Sequence, residues 1–510
     1  MMPDLLENKQ IDFEDYRFYQ NLNKNNLQVY SIILGIFICY YLRFKDSNER
    51  KELAIKLSYI IKKFNNSYKD FLFLPNKEEL FILNNIELEK SIAKNRALLD
   101  NVFSLFTAIN NKVPIFIVGK SGCSKSLSVQ LIKKSMKGSL TNNILFKNYP
   151  KIISNLYQGS ISSTSRGLEN VFKKARRQLK AFSLEDKKNY ISMIIFEDIG
   201  LTENSPNNPL QMIFSEIEYD FNLGDKKVAF VGTSNCALDK SLINRGILLS
   251  IPEINEDDIK FTANTIGESY KKILPKKNKN IYENLGSTYY TYKKFLKIDH
   301  HYDGKEEFHG NIDFYHFVKN VASNMAKINS KQIDNHIIDN ISLASIERNF
   351  GGLQFKNIKM KTSIQKMKSI YNNKFYEKDQ IIQKYDVLDR IKENINNLES
   401  RYLLLISNSS ISLSLLESIL SQLNKEYIYY IGSRFENDLH SEEYALKVLN
   451  KIQLYIKQGK LLILKNFESV YPALYDLFNK NFIEINKEKY ALISIGSKSA
   501  FILLMIISYV

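Results

Sequence analysis

Cysteine is scarce in this chain: Cys39, Cys123 and Cys236 are the three in 510 residues, far apart and with no Cys-x-x-Cys pair. A structural zinc site needs four ligands at short, fixed spacings, so no zinc finger or RING-type site can be built from these cysteines. The same scarcity excludes a disulfide framework and fits a reducing compartment such as the cytoplasm. Apolar runs long enough to cross a bilayer are also missing. Residues 29–42 are apolar but short, and are expected to form a buried helix. Residues 500–510 are apolar and short as well. They read as a buried strand at which the chain stops, as in a piece of a longer product, with a tail anchor the weaker alternative. The opening residues Met1-Met-Pro-Asp-Leu-Leu-Glu-Asn are polar and acidic, unlike a signal peptide.

What is present is ordinary globular material: 44% apolar and 25% charged residues, over a length that suits about three domains. The formal net charge is +16. A basic balance can mark a nucleic-acid partner. Here the lysines are scattered, Asn, Ile, Lys and Tyr are abundant together, and no nucleic-acid-binding motif accompanies the charge. Nucleic-acid binding is therefore not expected.

The most informative stretch is Gly119-Lys120-Ser121-Gly122-Cys123-Ser124-Lys125-Ser126, after the apolar run 113–118 and before a helix-like segment. Strand, glycine-bearing loop, Lys-Ser and helix is the phosphate-binding loop of nucleoside triphosphatases. Small residues let backbone N–H groups curl round phosphate oxygens, and the helix N-terminus adds partial positive charge. Lys125 can reach the β- and γ-phosphates of ATP, and the Ser126 hydroxyl can ligate Mg2+. Ser124 stands where glycine is usual. Cys123 reads as a small residue that fits the turn, with oxidation the weaker reading. The competing reading of the whole stretch is a chance Gly/Ser/Lys turn.

Ile191-Ser-Met-Ile-Ile-Phe-Glu197-Asp198 is an apolar strand ending in two acids. One carboxylate can hold the Mg2+ shell and the other can orient or deprotonate water. The usual order is Asp then Glu, and here it is reversed. A base withdrawn by about an ångström costs on the order of a hundredfold in rate, so nucleotide binding should survive better than hydrolysis, and Asp198→Glu should speed turnover if the short acid is limiting. A third apolar strand ends at Thr233-Ser-Asn235, where Asn235 can position water or serve as a turn residue. Arg245, after a short helix, reads either as a cation reaching the γ-phosphate of a neighbouring module or as a helix-end cation. Phosphate loop, acidic strand end, Asn-ended strand and Arg, in that order, is the AAA+ arrangement, and the switch or base motifs of kinases and small GTPases are not found.

Alternating apolar runs and amphipathic helices predict an α/β fold: a P-loop AAA+ module with a parallel sheet, a helical lid, and a second, degenerate AAA-like module. The boundaries read as 1–85 helical, a lid of a preceding module in one interpretation; 86–255 nucleotide-binding core; 256–384 helical lid with a polar insertion near 276–280; 385–510 second core. Expected strands include 114–118, 191–196, 228–231, 402–406, 427–431 and 461–464, with a helix over 86–109.

These residues resemble the mysterin family of giant AAA+ E3 ubiquitin ligases. The resemblance rests on Ile92-Ala-Lys-Asn-Arg-Ala-Leu, the phosphate loop, Leu145-Phe-Lys, Ser163-Thr-Ser-Arg-Gly167, Gly200-Leu-Thr-Glu-Asn-Ser-Pro-Asn-Asn-Pro-Leu210 and Thr233-Ser-Asn-Cys-Ala-Leu-Asp239 with Asn244-Arg-Gly246. In the helical block it continues in Phe308-His-Gly-Asn-Ile-Asp-Phe-Tyr315 and Glu347-Arg-Asn-Phe-Gly-Gly352. It implies a dynein-like core of tandem AAA modules, of which only some are active, with neighbouring modules in the same or a companion chain as partners. Ubiquitin transfer belongs to separate zinc-containing parts, so ubiquitin machinery would be reached only through domains this chain lacks. Ile312 stands where the family tends to place a lid arginine, and Arg348 is a substitute candidate. In the second module, Leu403-Leu-Leu-Ile-Ser-Asn-Ser-Ser-Ile-Ser-Leu413 takes the phosphate-loop place without lysine or glycine. Lys465-Asn-Phe-Glu468 follows its strand without adjacent acids. That module is expected to be catalytically dead. The expected function is ATP binding with slow hydrolysis, and the alternative is a scaffold that holds ATP without cleaving it.

Overall fold

The computed structural model describes residues 24–503 apart from 65–69, 162, 183–185, 204, 208, 222–226, 271–279, 299–307, 329–334, 355–361, 376–385, 398–401, 406–410, 440, 469, 479–481, 486–487 and 496–497. Helices α1 (Lys24–Cys39), α2 (Ser47–Phe64), α3 (Phe73–Asn84) and α4 (Arg96–Asn110) precede β1 (Ile115–Val118) and α5 (Lys125–Ser135). Then come β2 (Lys151–Gln158), α6 (Ser165–Lys180), β3 (Tyr190–Glu197), α7 (Leu210–Phe221), β4 (Ala229–Ser234) and β5 (Ile247–Ser250). Five helices follow: α8 (Glu256–Ser269), α9 (Ile281–Ile298), α10 (Asn311–Lys327), α11 (Asn335–Asn349) and α12 (Ser363–Phe375). The last stretch holds α13 (Val387–Asn396), α14 (Ile411–Gln422), β6 (Tyr427–Ile431), α15 (Glu442–Lys457), β7 (Leu461–Lys465), β8 (Phe482–Ile485), β9 (Glu488–Ile495) and β10 (Lys498–Leu503).

Strands β1 to β5 form one sheet in the order β2-β3-β4-β1-β5. The pairs β1–β5 and β3–β4 are parallel, with Ile117 opposite Leu249 and Ile195 opposite Val231. Parallel strands covered on both faces read as continuous apolar runs. Ile115, Phe116 and Ile117 are all 0% exposed, as this requires. The chain resolves into two compact units, residues 1–151 with 246–381 and residues 152–245 with 382–510.

In the first unit, α4 starts at Arg96 and not at residue 86 as the periodicity suggested. Asn95 ends the extended segment, and its side chain accepts the Leu98 N–H at 3.0 Å, an N-cap that fixes the first turn. Helix α1 is not wholly buried: Tyr30, Ile33 and Phe37 face inward while Ile32 is 61% exposed. A buried charge network ties α2 and α3 to α4. Arg50 meets Asp100 at 2.7 Å, and Arg96 meets Asp100 at 2.6 Å and Glu79 at 2.9 Å. Arg50 also donates to the Ser250 carbonyl at the end of β5, 2.6 Å away. Burial pushes the Glu79 carboxyl well above its ordinary range. Breaking such a network on one side costs about 3–5 kcal/mol, because it strands a buried charge. The lid helices α8 to α12 pack on an aromatic core that includes Tyr289, Tyr292, Phe314, Phe317 and Phe350. Tyr289 and Phe314 stack at 4.7 Å. Each fully buried apolar side chain of this kind contributes about 1.5–3 kcal/mol.

In the second unit, α6 packs on β3 and reaches β4, with Phe172 and Phe230 stacked at 6.0 Å, and α7 packs on α6. Beyond residue 385, β6 and β7 pair in parallel and β8-β9-β10 form an antiparallel meander. The strand expected at 402–406 does not form over 402–405, where Leu404 is 81% exposed and cannot gain from burial; residue 406 lies outside the described residues. Most of the polar insertion near 276–280, the centre of the second module's phosphate-loop place and residues 504–510 also lie outside them. Among the described residues no helix is long and apolar enough to cross a membrane.

Candidate nucleotide site

The loop 119–126 belongs to the first unit. An anion-binding loop must turn its N–H groups toward the ligand, so its carbonyls must be satisfied elsewhere. Nearly every carbonyl of this loop has a donor from the protein. The Lys125 ammonium donates to Gly119 O at 2.5 Å and to Lys120 O at 2.9 Å. The Cys123 thiol also donates to Lys120 O, at 2.8 Å. Tyr315 Oη donates to Gly122 O at 2.8 Å, and Asn101 Nδ2 to Cys123 O at 3.0 Å. Ser128 holds Ser124 O through its N–H at 2.9 Å and its hydroxyl at 2.7 Å. In a planar trans peptide the C=O of one residue and the N–H of the next point opposite ways. Holding these carbonyls therefore turns the N–H groups of Lys120, Ser121, Cys123, Ser124 and Lys125 each away from the donor that holds its own peptide.

The turn needs two left-handed residues, Gly122 at φ 80° and Ser124 at φ 64°. Ser124 thus adopts the backbone that the usual glycine would supply, at a cost of about 1–3 kcal/mol. Cys123 is 3% exposed and burial pushes its thiol up, so it is a small packed residue and not a reactive one. Ser126, the second residue of α5, is half-buried.

The lid lies against this loop. A Cβ on Gly122 would come within 2.9 Å of Asn311 Cβ and 3.0 Å of Ile312 Cγ1, so the start of α10 abuts the turn. Lys120 pairs with Glu253 at 3.1 Å, and Lys297 of α9 holds the other Glu253 oxygen. Burial alone would raise the Glu253 pKa, but the bonds from Lys297 and Lys120 outweigh it and hold it at about 2. Arg348 is half-buried in the last turn of α11.

The acidic strand end belongs to the second unit. Residues Ile191 to Phe196 of β3 are buried and the strand delivers a half-buried Glu197 and Asp198 at its end. Asp198 is left-handed, at φ 52° and ψ 48°, and starts the short helix Ile199–Thr202. Both of its carboxylate oxygens are held: Asn235 Nδ2 donates to Oδ1 at 3.0 Å and Gln158 Nε2 to Oδ2 at 3.2 Å. The end of β2 presses on this turn. The Gly159 N–H donates to Glu197 O at 2.8 Å, and a Cβ there would stand 2.5 Å from Asp198 O.

The structure thus brings Asp198 and Asn235 together and leaves Arg245 elsewhere. Arg245 donates to Glu218 at 2.8 Å and to the Ser241 carbonyl at 2.5 Å, and lies over the Phe214 ring at 4.6 Å. These are the partners of a cation at a helix end, here the helix Lys240–Ile243. Gln158, Tyr315, Asn101 and Glu253 escaped the sequence reading. Tyr315 lies inside a quoted family stretch, but nothing in the local sequence shows what its hydroxyl meets. Within Gly200–Leu210, Ser205 Oγ donates to Ser163 O at 2.8 Å, joining two of the stretches on which the resemblance rests.

Comparison with known proteins agrees with the motifs. Residues 91–258 match one family described as RNF213 AAA domain, and residues 392–505 match a second of the same description. The E3 ubiquitin-protein ligase RNF213 of Homo sapiens is 28% identical over 501 residues, covering 94% of this chain and 9% of the human protein. The E3 ubiquitin-protein ligase rnf213-beta of Danio rerio is 28% identical, covering 95% of this chain and 9% of that protein. The Mus musculus RNF213 is 27% identical, covering 92% and 9% respectively. The chain spans about a tenth of the length of these relatives. With two family matches that together cover more than half of the residues, the chain belongs to the RNF213, or mysterin, family of AAA-domain proteins.

Proposed function

We propose that this chain binds Mg-ATP through its first AAA module and hydrolyses it slowly, as part of the AAA+ core of a mysterin-like E3 ubiquitin ligase in the cytoplasm. The observation that carries the reading is the loop 119–126, whose carbonyls at Gly122, Cys123 and Ser124 are engaged by Tyr315, Asn101 and Ser128 so that the N–H groups of those peptides are available to an anion. In this reading Lys125 exchanges its loop carbonyls for phosphate oxygens. Mg2+ would neutralise charge on the phosphates, and the sequence motifs offer Ser126 and Glu197 as its ligands. Among the described residues there is no cluster of three or more His, Cys, Asp or Glu that could hold a metal by itself. That donor set suits Mg2+, which keeps several waters and takes only one or two protein ligands beside phosphate. Asp198 accepts the proton of the attacking water, and Asn235 orients Asp198 and that water. Arg245 acts on a neighbouring module only if it leaves Glu218. The relatives are named E3 ubiquitin-protein ligases, but ubiquitin transfer is not proposed for these residues.

A second reading has an observation of its own. Asp198 is a short acid with both oxygens already bonded, which favours a scaffold that keeps ATP as a stabilising ligand. The test is a calorimetric titration of the full chain with Mg-ATP, followed by phosphate release from the same sample. Lys125→Ala is expected to lose at least about a hundredfold in affinity, since it removes a charge-assisted contact to phosphate. Asp198→Asn is expected to keep affinity within a few-fold and to abolish release. Unchanged affinity in Lys125→Ala would sink the nucleotide reading, and binding without release in the wild type would select the scaffold.

A further inference from the structure

We propose that Tyr315 is a positioning residue for the nucleotide: by donating from lid helix α10 to the Gly122 carbonyl, it sets the phosphate loop in its anion-binding form only when the lid is seated. This rests on reading the loop as a nucleotide site.

The Gly122 carbonyl and the Cys123 N–H belong to one peptide, so fixing the first fixes the second. The other satisfied carbonyls of the loop take their donors from Lys125, Cys123, Ser128 and Asn101, on the loop itself, α5 or α4. Among the described residues, the lid contributes to these carbonyl bonds at Gly122 alone. Gly122 is also the left-handed pivot of the turn, at φ 80°. The start of α10 abuts it, and Asn311 is anchored in turn by Tyr289 Oη at 3.3 Å and Lys293 Nζ at 3.4 Å. Lid position and loop conformation are thereby one mechanical element. Burial pushes the Tyr315 phenol well above its ordinary range, so it stays a donor across physiological pH.

Position 312 is isoleucine, so the lid brings no cation there to read the charge of a terminal phosphate. What Tyr315 governs is the loop backbone, which meets ATP and ADP alike. The consequence is specific: losing the hydroxyl weakens both nucleotides by the same factor.

The experiment is calorimetric titration of the full chain and of Tyr315→Phe with Mg-ATP and with Mg-ADP, together with amide hydrogen exchange over 119–126. Tyr315→Phe keeps the ring and removes only the donor. The expected result is a loss of about tenfold in affinity for both nucleotides, the size of one hydrogen bond, with faster exchange in the loop. Tyr292→Phe is the control, since Tyr292 Oη bonds His309 in the lid core at 2.8 Å. It is expected to lower thermal stability and leave both affinities within twofold. Equal affinities for Tyr315→Phe and wild type would overturn the proposal, as would an equal loss in Tyr292→Phe or a loss for ATP alone. A wild type that binds neither nucleotide would instead overturn the nucleotide reading, and this inference with it.

Discussion

At the end of β3 the chain reads Phe196-Glu197-Asp198-Ile199, and at the end of β7 it reads Leu464-Lys465-Asn466-Phe467. The two turns share a backbone. Gly159 donates its N–H to Glu197 O at 2.8 Å, and Gly432 donates its N–H to Lys465 O at the same 2.8 Å. The next residue is left-handed in both, Asp198 at φ 52° and Asn466 at φ 61°. The residue after that is buried in both, Ile199 at 0% and Phe467 at 1%. The side chains that would do chemistry differ throughout. Glu197 matches Lys465, Asp198 matches Asn466, and Gln158, which holds Asp198, matches Ile431, which is 52% exposed. The second module has the same turn without the acids. The scaffold of such a site is therefore held by packing: a glycine under a close backbone and a left-handed residue that Asn tolerates well.

Lengthening the acid is expected to have the largest effect on this comparison. The reversed acids suggest that Asp198→Glu should speed turnover if the short acid is limiting. The bonds around Asp198 argue for the opposite outcome: Gln158 and Asn235 already hold both oxygens of the shorter acid, and Glu tolerates φ 52° less well than Asp. Phosphate release is expected to fall by about a hundredfold, the cost of misplacing a reacting group by an ångström. Faster release would show that reach, and not the clamp, limits the acid.

Next in size are the paired glycines. A Cβ at Gly159 would stand 2.5 Å from Asp198 O, and one at Gly432 would stand 1.9 Å from Asn466 O. Gly159→Ala and Gly432→Ala are each expected to cost about 2 kcal/mol of stability in denaturant titration. Gly159→Ala should also depress phosphate release, while Gly432→Ala should leave it unchanged once the folded fraction is allowed for. Equal losses of release in both would break the contrast between a working turn and a structural one.

The smallest effect is the transplant Gln158→Ile, which gives the first module the residue of the second. It removes one hydrogen bond to a carboxylate, so release should fall about tenfold with ATP affinity unchanged. A matching fall in affinity would mean that Gln158 supports the fold of the site and not the aim of Asp198.

Much of this was legible along the chain because it depends on neighbours in sequence. The run before Gly119, the Lys125-Ser126 pair and the apolar strand into Glu197 are local patterns, and the structure places them on β1, α5 and β3 as expected. The misreadings were of another kind. Apolar spacing over 86–109 suggested one helix, but Asn95 caps it late. The segment from 402 read as a strand, but Leu404 is left 81% exposed. Periodicity records which residues can be buried, and not which ones meet a partner.

By itself, the sequence determined the chemical inventory: a loop with the pattern of a phosphate-binding loop and Ser124 in the glycine place, two acids in reversed order, and a second module without lysine at the matching loop or paired acids at the matching strand end. Those are statements about which atoms exist. Only the tertiary structure decided what each atom is held by. It put Gln158 and Asn235 on the two oxygens of Asp198, tied Arg245 to Glu218, and gave the Gly122 carbonyl to Tyr315, 193 residues away along the chain. Hydrogen bonds form over about 3 Å, and folding alone brings residues so distant in sequence to that range.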